Sequence, residues 1–193
     1  MAGLIAENFV SSGNGHWRVP AFLFRLHQLA FDQLEMRREL GSTPQPMFGQ
    51  TGDDCVAFSQ NASGRIIASL VCESKCTDDH DAGFITDAHR KISSPLPRPV
   101  SLSRIIGILR DQEHDPEAAQ WAEALVELYH RRLESDYQRF DLVSYTCGRR
   151  PVTRNTWIPD DRPHQAYSGG RELESVEIHL DGVNNLVEEV YRR

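Results

Sequence analysis

Four side chains suited to hydrolytic chemistry fall within one short stretch of the chain. Asp53 and Asp54 begin the segment DDCVAFSQ, and Glu73 and Lys75 lie near the end of the segment IIASLVCESKCT. Both segments have the composition of strands, and Asn61–Gly64 between them has that of a tight turn. The sequence therefore predicts two strands joined by a turn, with acids at the start of the first strand and an acid and a lysine near the end of the second.

The strand period of two predicts which of these side chains share a face. Glu73 and Lys75 point to one side of the second strand, and Cys72, Ser74 and Cys76 point to the other. The residues just before Glu73, IIASLVC, form an almost continuous apolar run, which is typical of a strand buried on both faces. A carboxylate and an ammonium at the end of such a strand are costly to hold there, which indicates a purpose.

These residue types match the needs of metal-dependent phosphodiester hydrolysis. Carboxylates hold Mg²⁺ through hard oxygen ligands, and the bound ion activates water and neutralises charge on the phosphate. A nearby lysine orients the water and stabilises the developing negative charge. Of the 21 basic residues only Lys75 and Lys91 are lysines, so lysine at position 75 is unusual for this chain. Unlike arginine, a lysine in a protein can give up its proton.

An acid at the start of one strand and Glu-x-Lys on the next resemble the core motif of the PD-(D/E)xK nuclease superfamily. The resemblance implies an α/β fold with a restriction-endonuclease-like central mixed sheet flanked by helices. It also implies a DNA endonuclease that uses Mg²⁺, for which Mn²⁺ substitutes. Asp54, Glu73 and the backbone carbonyl of Ser74 are the implied metal ligands, and Lys75 is the implied catalytic lysine.

The resemblance leaves two positions open. The proline that precedes the first acid in the superfamily motif is absent, with Gly52 in its place, and Asp53 competes with Asp54. We choose Asp54 because it lies further into the strand. Many superfamily members also carry a glutamate on the first helix that points at the metal. Glu7 matches it by position in the chain, Glu35 on the next predicted helix is the reserve, and an ordinary surface glutamate is the alternative.

The order of segments narrows the resemblance further. The succession VPAFLFRLHQ, TGDDCVAF and LVCESKCT, followed by a terminal strand and helix, is similar to the nuclease subunit of Hachiman-type bacterial antiphage systems. Such subunits work beside a helicase, so the resemblance implies an effector nuclease with a helicase or ATPase partner. The alternative is a non-catalytic nucleic-acid-binding or assembly subunit that keeps the fold.

Composition bounds the size, the charge and the location. The 193 residues are 39% hydrophobic, and we expect one domain over residues 1–193, with the nuclease core in about the first 100 residues. The net charge of −7 argues against a surface that coats DNA, although a local arginine-lined cleft or a partner can still bind it. No basic secretory leader and no apolar run of about 20 residues are present, so we expect a cytoplasmic protein without a membrane span.

The remaining elements follow from periodicity and capping residues. Asp115 and Pro116 begin a helix whose predicted core stripe is Ala118, Trp121, Ala122, Leu125, Tyr129 and Leu133. Further helices are predicted at Ala2–Val10, from Pro20 to Gly41, around Phe84–Ala88, at Ser101–Arg110 and after Asp181. Strands are predicted at Phe140–Cys147 and Glu174–Leu180, with a loop at Pro159–Gly170.

Two other kinds of site have partial matches in the sequence. The four cysteines form no CxxC pair, and their strand-like surroundings predict buried free thiols rather than a zinc site. His80-Asp81 resembles the dipeptide of HD phosphohydrolases, but the all-helical plan of that family conflicts with the strands predicted here. No P-loop, G-x-S-x-G elbow or GxGxxG motif is present.

Overall fold

The structure is a computed structural model that describes residues 2–10, 12–13, 16–21, 53–112, 114–132, 136–159, 163–183 and 185. Residues 22–41 of the predicted helix that opens at Pro20, with the candidate acid Glu35, lie outside these residues. So do Leu133 of the predicted core stripe and most of the helix predicted after Asp181. The described elements, in chain order, are α1 (Ala2–Asn8), β1 (Cys55–Gln60), β2 (Ile66–Thr77), α2 (Ala82–Ile92), α3 (Leu102–Arg110), α4 (Pro116–His130), β3 (Gln138–Cys147) and β4 (Leu173–His179).

The described strands form one mixed sheet in the order β1-β2-β3-β4. Strand β1 pairs antiparallel with β2, whereas β2, β3 and β4 run parallel. The turn at Asn61 closes as predicted, because its side-chain oxygen accepts hydrogen bonds from the N–H groups of Ser63 and Arg65. Gly64 takes a φ of +79° there, which a residue with a Cβ rarely adopts. The α/β class predicted from the sequence is confirmed.

Helices cover both faces of the sheet. Helix α1 packs on the face that carries Cys72, where Cys55, Ala57 and Leu70 are buried with it. Helix α2 packs on the opposite face against Val71 and Val143, and helices α3 and α4 cover Val56 and Phe58 on that same face. Strand β2 is therefore buried on both sides over most of its length, as its apolar run predicted.

Side-chain caps set the starts of two helices. Asp81 accepts a hydrogen bond from the N–H of Gly83 at the start of α2, and Asp115 accepts one from the N–H of Glu117 at the start of α4. The cap at Asp115 confirms the predicted helix start. The predicted core stripe of α4 was wrong at one position, because Leu128 is buried and Tyr129 is half exposed. At the 3.6-residue period both fall near the edge of the stripe, and the packing decides between them.

The other predictions differ from the structure in small ways. Strand β3 begins at Gln138, two residues before the predicted start. Three of the cysteines are buried free thiols as predicted, but Cys76 is exposed, because β2 runs past the covered part of the sheet. Among the described residues, no helix has both the length and the apolar character that crossing a membrane would require.

His89 is a buried titratable group in α2. Its Nδ1 lies 2.7 Å from the carbonyl oxygen of Ile85, and its ring stacks on that of His164 at 4.5 Å between centroids. Its Nε2 is buried and has no hydrogen-bond partner among the described residues. Burial lowers the pKa of His89, and the charge of His164 lowers it further, whereas the bond to Ile85 raises it.

We expect acid to destabilise the protein through His89. Its folded pKa lies below the ordinary value of 6.5, so the unfolded chain takes up the proton first. The stability that the neutral ring contributes is present above that value and is lost as the pH falls through it toward the folded pKa. His89→Phe keeps a ring against His164 and removes the titration, so its melting temperature should fall less between about pH 7.5 and about pH 5.5.

The exposed His114 provides the control for this measurement. His114→Gln also removes one histidine, but from an exposed position outside the buried contacts of α2, and it should keep the wild-type dependence of the melting temperature on pH. Equal pH dependence in wild type and His89→Phe would show that the pKa of His89 does not couple to folding.

Candidate active site

Asp54 lies beside the last residues of β2 because the pairing of β1 with β2 ends at Cys72, whereas β2 continues to Thr77. The β1–β2 ladder ends at Cys55 opposite Cys72, and the N–H of Asp54 donates to the carbonyl of Cys72 at 3.2 Å. Beyond that point the N–H of Ser74 donates to Asp54 Oδ2 at 2.8 Å. The carboxylate thus replaces the missing strand partner and lies alongside Glu73.

Glu73 is the centre of the cluster. It is 2% exposed, and each of its two oxygens contacts a different ammonium. Lys75 Nζ lies 2.8 Å from Oε1, and Lys91 Nζ lies 2.6 Å from Oε2. Lys91 Nζ is also 3.6 Å from Asp54 Oδ1. Both lysines of the chain therefore meet on one buried carboxylate, which neither E-x-K spacing nor composition alone would produce.

The pKa shifts in the cluster have identifiable causes. Burial raises the pKa of Glu73, and the nearby charge of Asp54 raises it further, while the hydrogen bonds from Lys75 and Lys91 lower it without cancelling the rise. Burial alone would lower the pKa of Lys91, but its contacts with Glu73 and Asp54 outweigh that effect and leave it raised. Two carboxylates so close together need a cation between them, and Lys91 supplies it.

The two neighbouring aspartates have different partners. Asp53 Oδ2 accepts a hydrogen bond from the N–H of Ser101 at 2.9 Å, and the Ser101 hydroxyl oxygen accepts one from the N–H of Asp53 at 3.0 Å. This reciprocal pair ties the start of β1 to the start of α3, which begins at the next residue, Leu102. Asp54, and not Asp53, is the aspartate that the structure brings to Glu73.

Glu7 has a structural partner on the other side of the sheet. Its Oε1 accepts a hydrogen bond from the N–H of Val19 at 2.9 Å. Helix α1 packs on the face of β2 that carries Cys72, whereas alternation along the strand sends Glu73 to the opposite face. The structure therefore does not bring Glu7 together with Glu73 and Lys75, although the sequence predicted it as a catalytic residue.

The donor set fits a magnesium ion that shares its coordination with substrate. Among the described residues, no group of three or more His, Cys, Asp or Glu side chains is arranged to hold a metal ion. Asp54 and Glu73 supply two carboxylates, and Mg²⁺ is commonly held by one or two carboxylates together with waters and substrate phosphates. The two carboxylates suit an open site of that kind better than a closed structural site.

Three aromatic rings, those of Tyr145, His80 and Trp157, lie in contact with one another near Lys75. Tyr145 lies opposite Lys75 in the β2–β3 register. Its hydroxyl oxygen accepts a hydrogen bond from the N–H of Asp81 at 3.0 Å and lies 3.2 Å from His80 Nδ1. The His80 ring stacks on Trp157 at 3.7 Å. Asp81 is used as the cap of α2 and His80 in a ring stack, so the resemblance to the HD dipeptide gains no support from their contacts.

A buried carboxylate on β3 holds the end of α2 that carries Lys91. Asp141 is fully buried, with Arg139 Nε 3.0 Å from Oδ1 and Arg171 Nη2 2.7 Å from Oδ2. Both arginines also donate to backbone carbonyls at the end of α2 or just after it. Arg139 Nη2 bonds the carbonyl of Ile92 at 3.2 Å, and Arg171 Nη2 bonds that of Ser94 at 2.8 Å.

Sequence reasoning missed this network and the role of Lys91. Asp141 was a visible signal, because it is an acid within the apolar strand FDLVSYTC and has to be paired if that strand is buried. Lys91 was recognised only as one of the two lysines of the chain. Nothing in the local pattern showed that the helix end would lie over Glu73.

No model of a protein family, no curated protein and no solved structure matches this chain.

We expect Asp141→Asn to be strongly destabilising. The change leaves the guanidinium groups of Arg139 and Arg171 without their buried counter-charge, and breaking such a pair costs about 3 to 5 kcal/mol. Chemical denaturation should show this loss in the free energy of unfolding. Asp87→Asn is the control, since it removes an exposed ion pair with Arg90 and should cost less than about 0.5 kcal/mol. Equal effects of the two changes would contradict the network's role.

Proposed function

We propose that this chain is a metal-dependent nuclease that hydrolyses phosphodiester bonds in DNA, with the restriction-endonuclease-like plan of the PD-(D/E)xK superfamily. The observation that carries the proposal is the meeting of Asp54, Glu73 and Lys75 where β2 extends past β1. Asp54 and Glu73 would hold Mg²⁺, or Mn²⁺ in its place, with the backbone of Ser74 beside them. The ion, when bound, activates water and neutralises phosphate charge.

Burial of Glu73 gives Lys75 its function. Glu73 is enclosed by the protein, and the hydrogen bond that Lys75 donates to it holds the ammonium in one place. The Lys75 side chain is still 27% exposed, so a substrate can reach it. During hydrolysis the water oxygen loses a proton to solvent and bonds to phosphorus, and negative charge builds on the phosphoryl oxygens. The bond to the leaving oxygen breaks, and that oxygen takes up a proton from solvent. The ammonium of Lys75 stabilises that charge. A preorganised cation is more effective here than a mobile one, since it needs no reorientation during the reaction.

An arginine-rich loop supplies contacts for the DNA backbone. The loop follows β3 and carries Arg149, Arg150 and Arg154, all exposed. The last residues of β2 and β3 are paired, Thr77 with Cys147, so the loop leaves the sheet at the end where Lys75 lies. In a chain with a net charge of −7, three arginines within six positions form a local site for phosphates.

Contacts within the protein hold this loop in place. Glu177 accepts hydrogen bonds from the N–H groups of Trp157 and Ile158, and Trp157 Nε1 donates to the carbonyl of Arg149 at 3.2 Å. Arg149 is paired with Asp79 at 2.7 Å on an exposed surface, where a phosphate can take the place of that carboxylate. The backbone of the loop is therefore held by hydrogen bonds, while its arginine side chains are exposed to solvent.

We also propose that the nuclease acts in the cytoplasm as an effector of bacterial antiphage defence beside a helicase or ATPase. The order of segments, similar to that of the Hachiman-type nuclease subunit, supports this assignment. The negative net charge supports a partner as well, because it weakens the attraction between the free subunit and DNA outside the arginine loop. A partner that delivers DNA would also restrict cleavage to the occasions when it is needed.

The first test concerns Lys75. With supercoiled DNA and Mg²⁺, the purified protein should produce nicked or linear DNA, and Lys75→Ala should lower the rate at least about 100-fold, as loss of one preorganised donor does. DNA binding should stay near wild type, because the ammonium acts on the transition state. The melting temperature should fall, because the buried Glu73 loses one of its two counter-charges. Lys75→Arg should fail as well, since a guanidinium is larger and planar.

The two aspartates give a matched control for the same assay. Asp54→Asn should abolish cleavage, whereas Asp53→Asn should keep it in the folded fraction, because Asp53 contacts Ser101 and not Glu73. Full activity in Lys75→Ala would sink the catalytic role. No DNA cleavage by the wild type, together with a melting temperature that Lys75→Ala lowers and Lys75→Arg restores, would instead favour the non-catalytic subunit with a structural ion pair.

The second test concerns the arginine loop. Replacing Arg149, Arg150 and Arg154 by alanine should weaken DNA binding without Mg²⁺ and make its salt dependence shallower by about 2 to 3 in the slope of log K against log salt. Arg18→Ala with Arg110→Ala is the control, since both residues are exposed and Arg18 pairs with Phe58, far along the sheet from Lys75. An unchanged slope of log K against log salt in the triple variant would show that the loop does not bind the DNA backbone.

A further inference from the structure

Lys91 occupies a position that the E-x-K motif does not account for. Its ammonium lies between the two carboxylates, in contact with Glu73 Oε2 and near Asp54 Oδ1, whereas Lys75 contacts the other oxygen of Glu73. We propose that Lys91 is an internal counter-cation, which holds the place of the divalent ion in the metal-free protein and is displaced when metal binds. The inference rests on the proposed function only in taking Asp54 and Glu73 as the metal ligands.

The charges of the cluster support this exchange. Without metal, the two carboxylates and the two ammonium groups cancel, which allows Glu73 to be buried. If a divalent ion were added with both lysines in place, the cluster would carry two excess positive charges in a partly buried site. If Lys91 withdraws, the two carboxylates, Lys75 and the divalent ion together carry one net positive charge. A phosphate diester, with its single negative charge, neutralises it. The exchange therefore prepares the site for an anionic substrate.

The surroundings of Lys91 allow its side chain to move while its backbone stays fixed. Ile92, the next residue, is held through its carbonyl by Arg139. The Lys91 side chain is 42% exposed, compared with 27% for Lys75. A cavity of about 140 Å³ lies beside it, lined by Ser94 and Val100 and also by the charged side chains of Asp53, Glu73 and Arg139. The ammonium can thus leave the carboxylates without any shift of the helix.

The choice of lysine at this position also fits an exchangeable cation. Arginine is the usual basic residue of this chain, and it binds carboxylates through two parallel hydrogen bonds. At position 91 such a fork would hold both acids firmly and block a metal ion. A lysine ammonium neutralises the same carboxylates as a single point charge, and solvent can replace its contacts more readily.

Calorimetric titration with Mn²⁺ in the absence of DNA tests the proposal. Lys91→Met should bind Mn²⁺ about tenfold more tightly than wild type, because the competing cation is gone and each tenfold corresponds to about 1.4 kcal/mol. Lys91→Arg should bind Mn²⁺ more weakly than wild type. Lys75→Met is the matched control, and its gain should be smaller, since Lys75 does not bridge the two carboxylates.

Thermal denaturation provides a second measurement. Without metal, Lys91→Met should melt at a lower temperature than wild type, because Asp54 and Glu73 repel each other without a cation between them. Mn²⁺ should raise its melting temperature more than that of wild type. If Lys91→Met does not fold without metal, Lys91→Gln, with a neutral side chain of similar length that keeps a polar end, should give the same order of affinities.

The outcomes separate this proposal from the proposed function. Equal Mn²⁺ affinity in wild type and Lys91→Met would overturn the counter-cation and leave the metal site intact. Failure of every variant to bind Mn²⁺ would overturn both the counter-cation and the metal-dependent mechanism. Tighter Mn²⁺ binding by Lys91→Met, together with no DNA cleavage by wild type, would support the role of Lys91 as a counter-cation. The same result would contradict only the proposed nuclease function.

Discussion

The rest of the site depends on the burial of Asp141 between two arginines. A carboxylate in the middle of β3 would be prohibitive alone, so Arg139 and Arg171 pair with it and remain buried or nearly so. Their other N–H groups are then available only to nearby carbonyls, and those at the end of α2 accept them. The same two arginines therefore neutralise the carboxylate buried in the sheet and hold the end of the helix that carries Lys91.

Asp54 shows how the end of a strand can bring a carboxylate into a side-chain cluster. Its carboxylate accepts the N–H of Ser74 where β1 no longer continues, so one oxygen is used in the sheet and the other faces the cluster. This arrangement needs a partner strand that is shorter than β2 at that end, which the pairing of Cys55 with Cys72 provides. The same extension of β2 past its neighbour leaves the Lys75 side chain partly exposed beside the buried Glu73, at the end of an otherwise covered sheet.

The sequence predicted those features that depend on local pattern. Alternation placed Glu73 and Lys75 on one face, Asn61 and Gly64 closed the turn, and Asp115 capped its helix. It could not place Lys91, because the position of α2 depends on contacts with Asp141, about 50 residues further along the chain. Glu7 was matched by order in the chain, which does not determine the face of the sheet on which a helix packs.

The gathering of both lysines on Glu73 gives the protein an unusual chemical property. Apart from the amino terminus, Lys75 and Lys91 carry the only primary amines of the chain, and both lie within hydrogen-bonding distance of one carboxylate. Reagents directed at amines, including acylating labels, cross-linkers and coupling chemistries for surfaces, therefore modify this cluster rather than a scattered set of surface sites. Because acylation needs the neutral amine, a carboxylate contact that keeps a lysine protonated slows its reaction. The extent of acylation at each lysine therefore reports how firmly Glu73 holds its two cations.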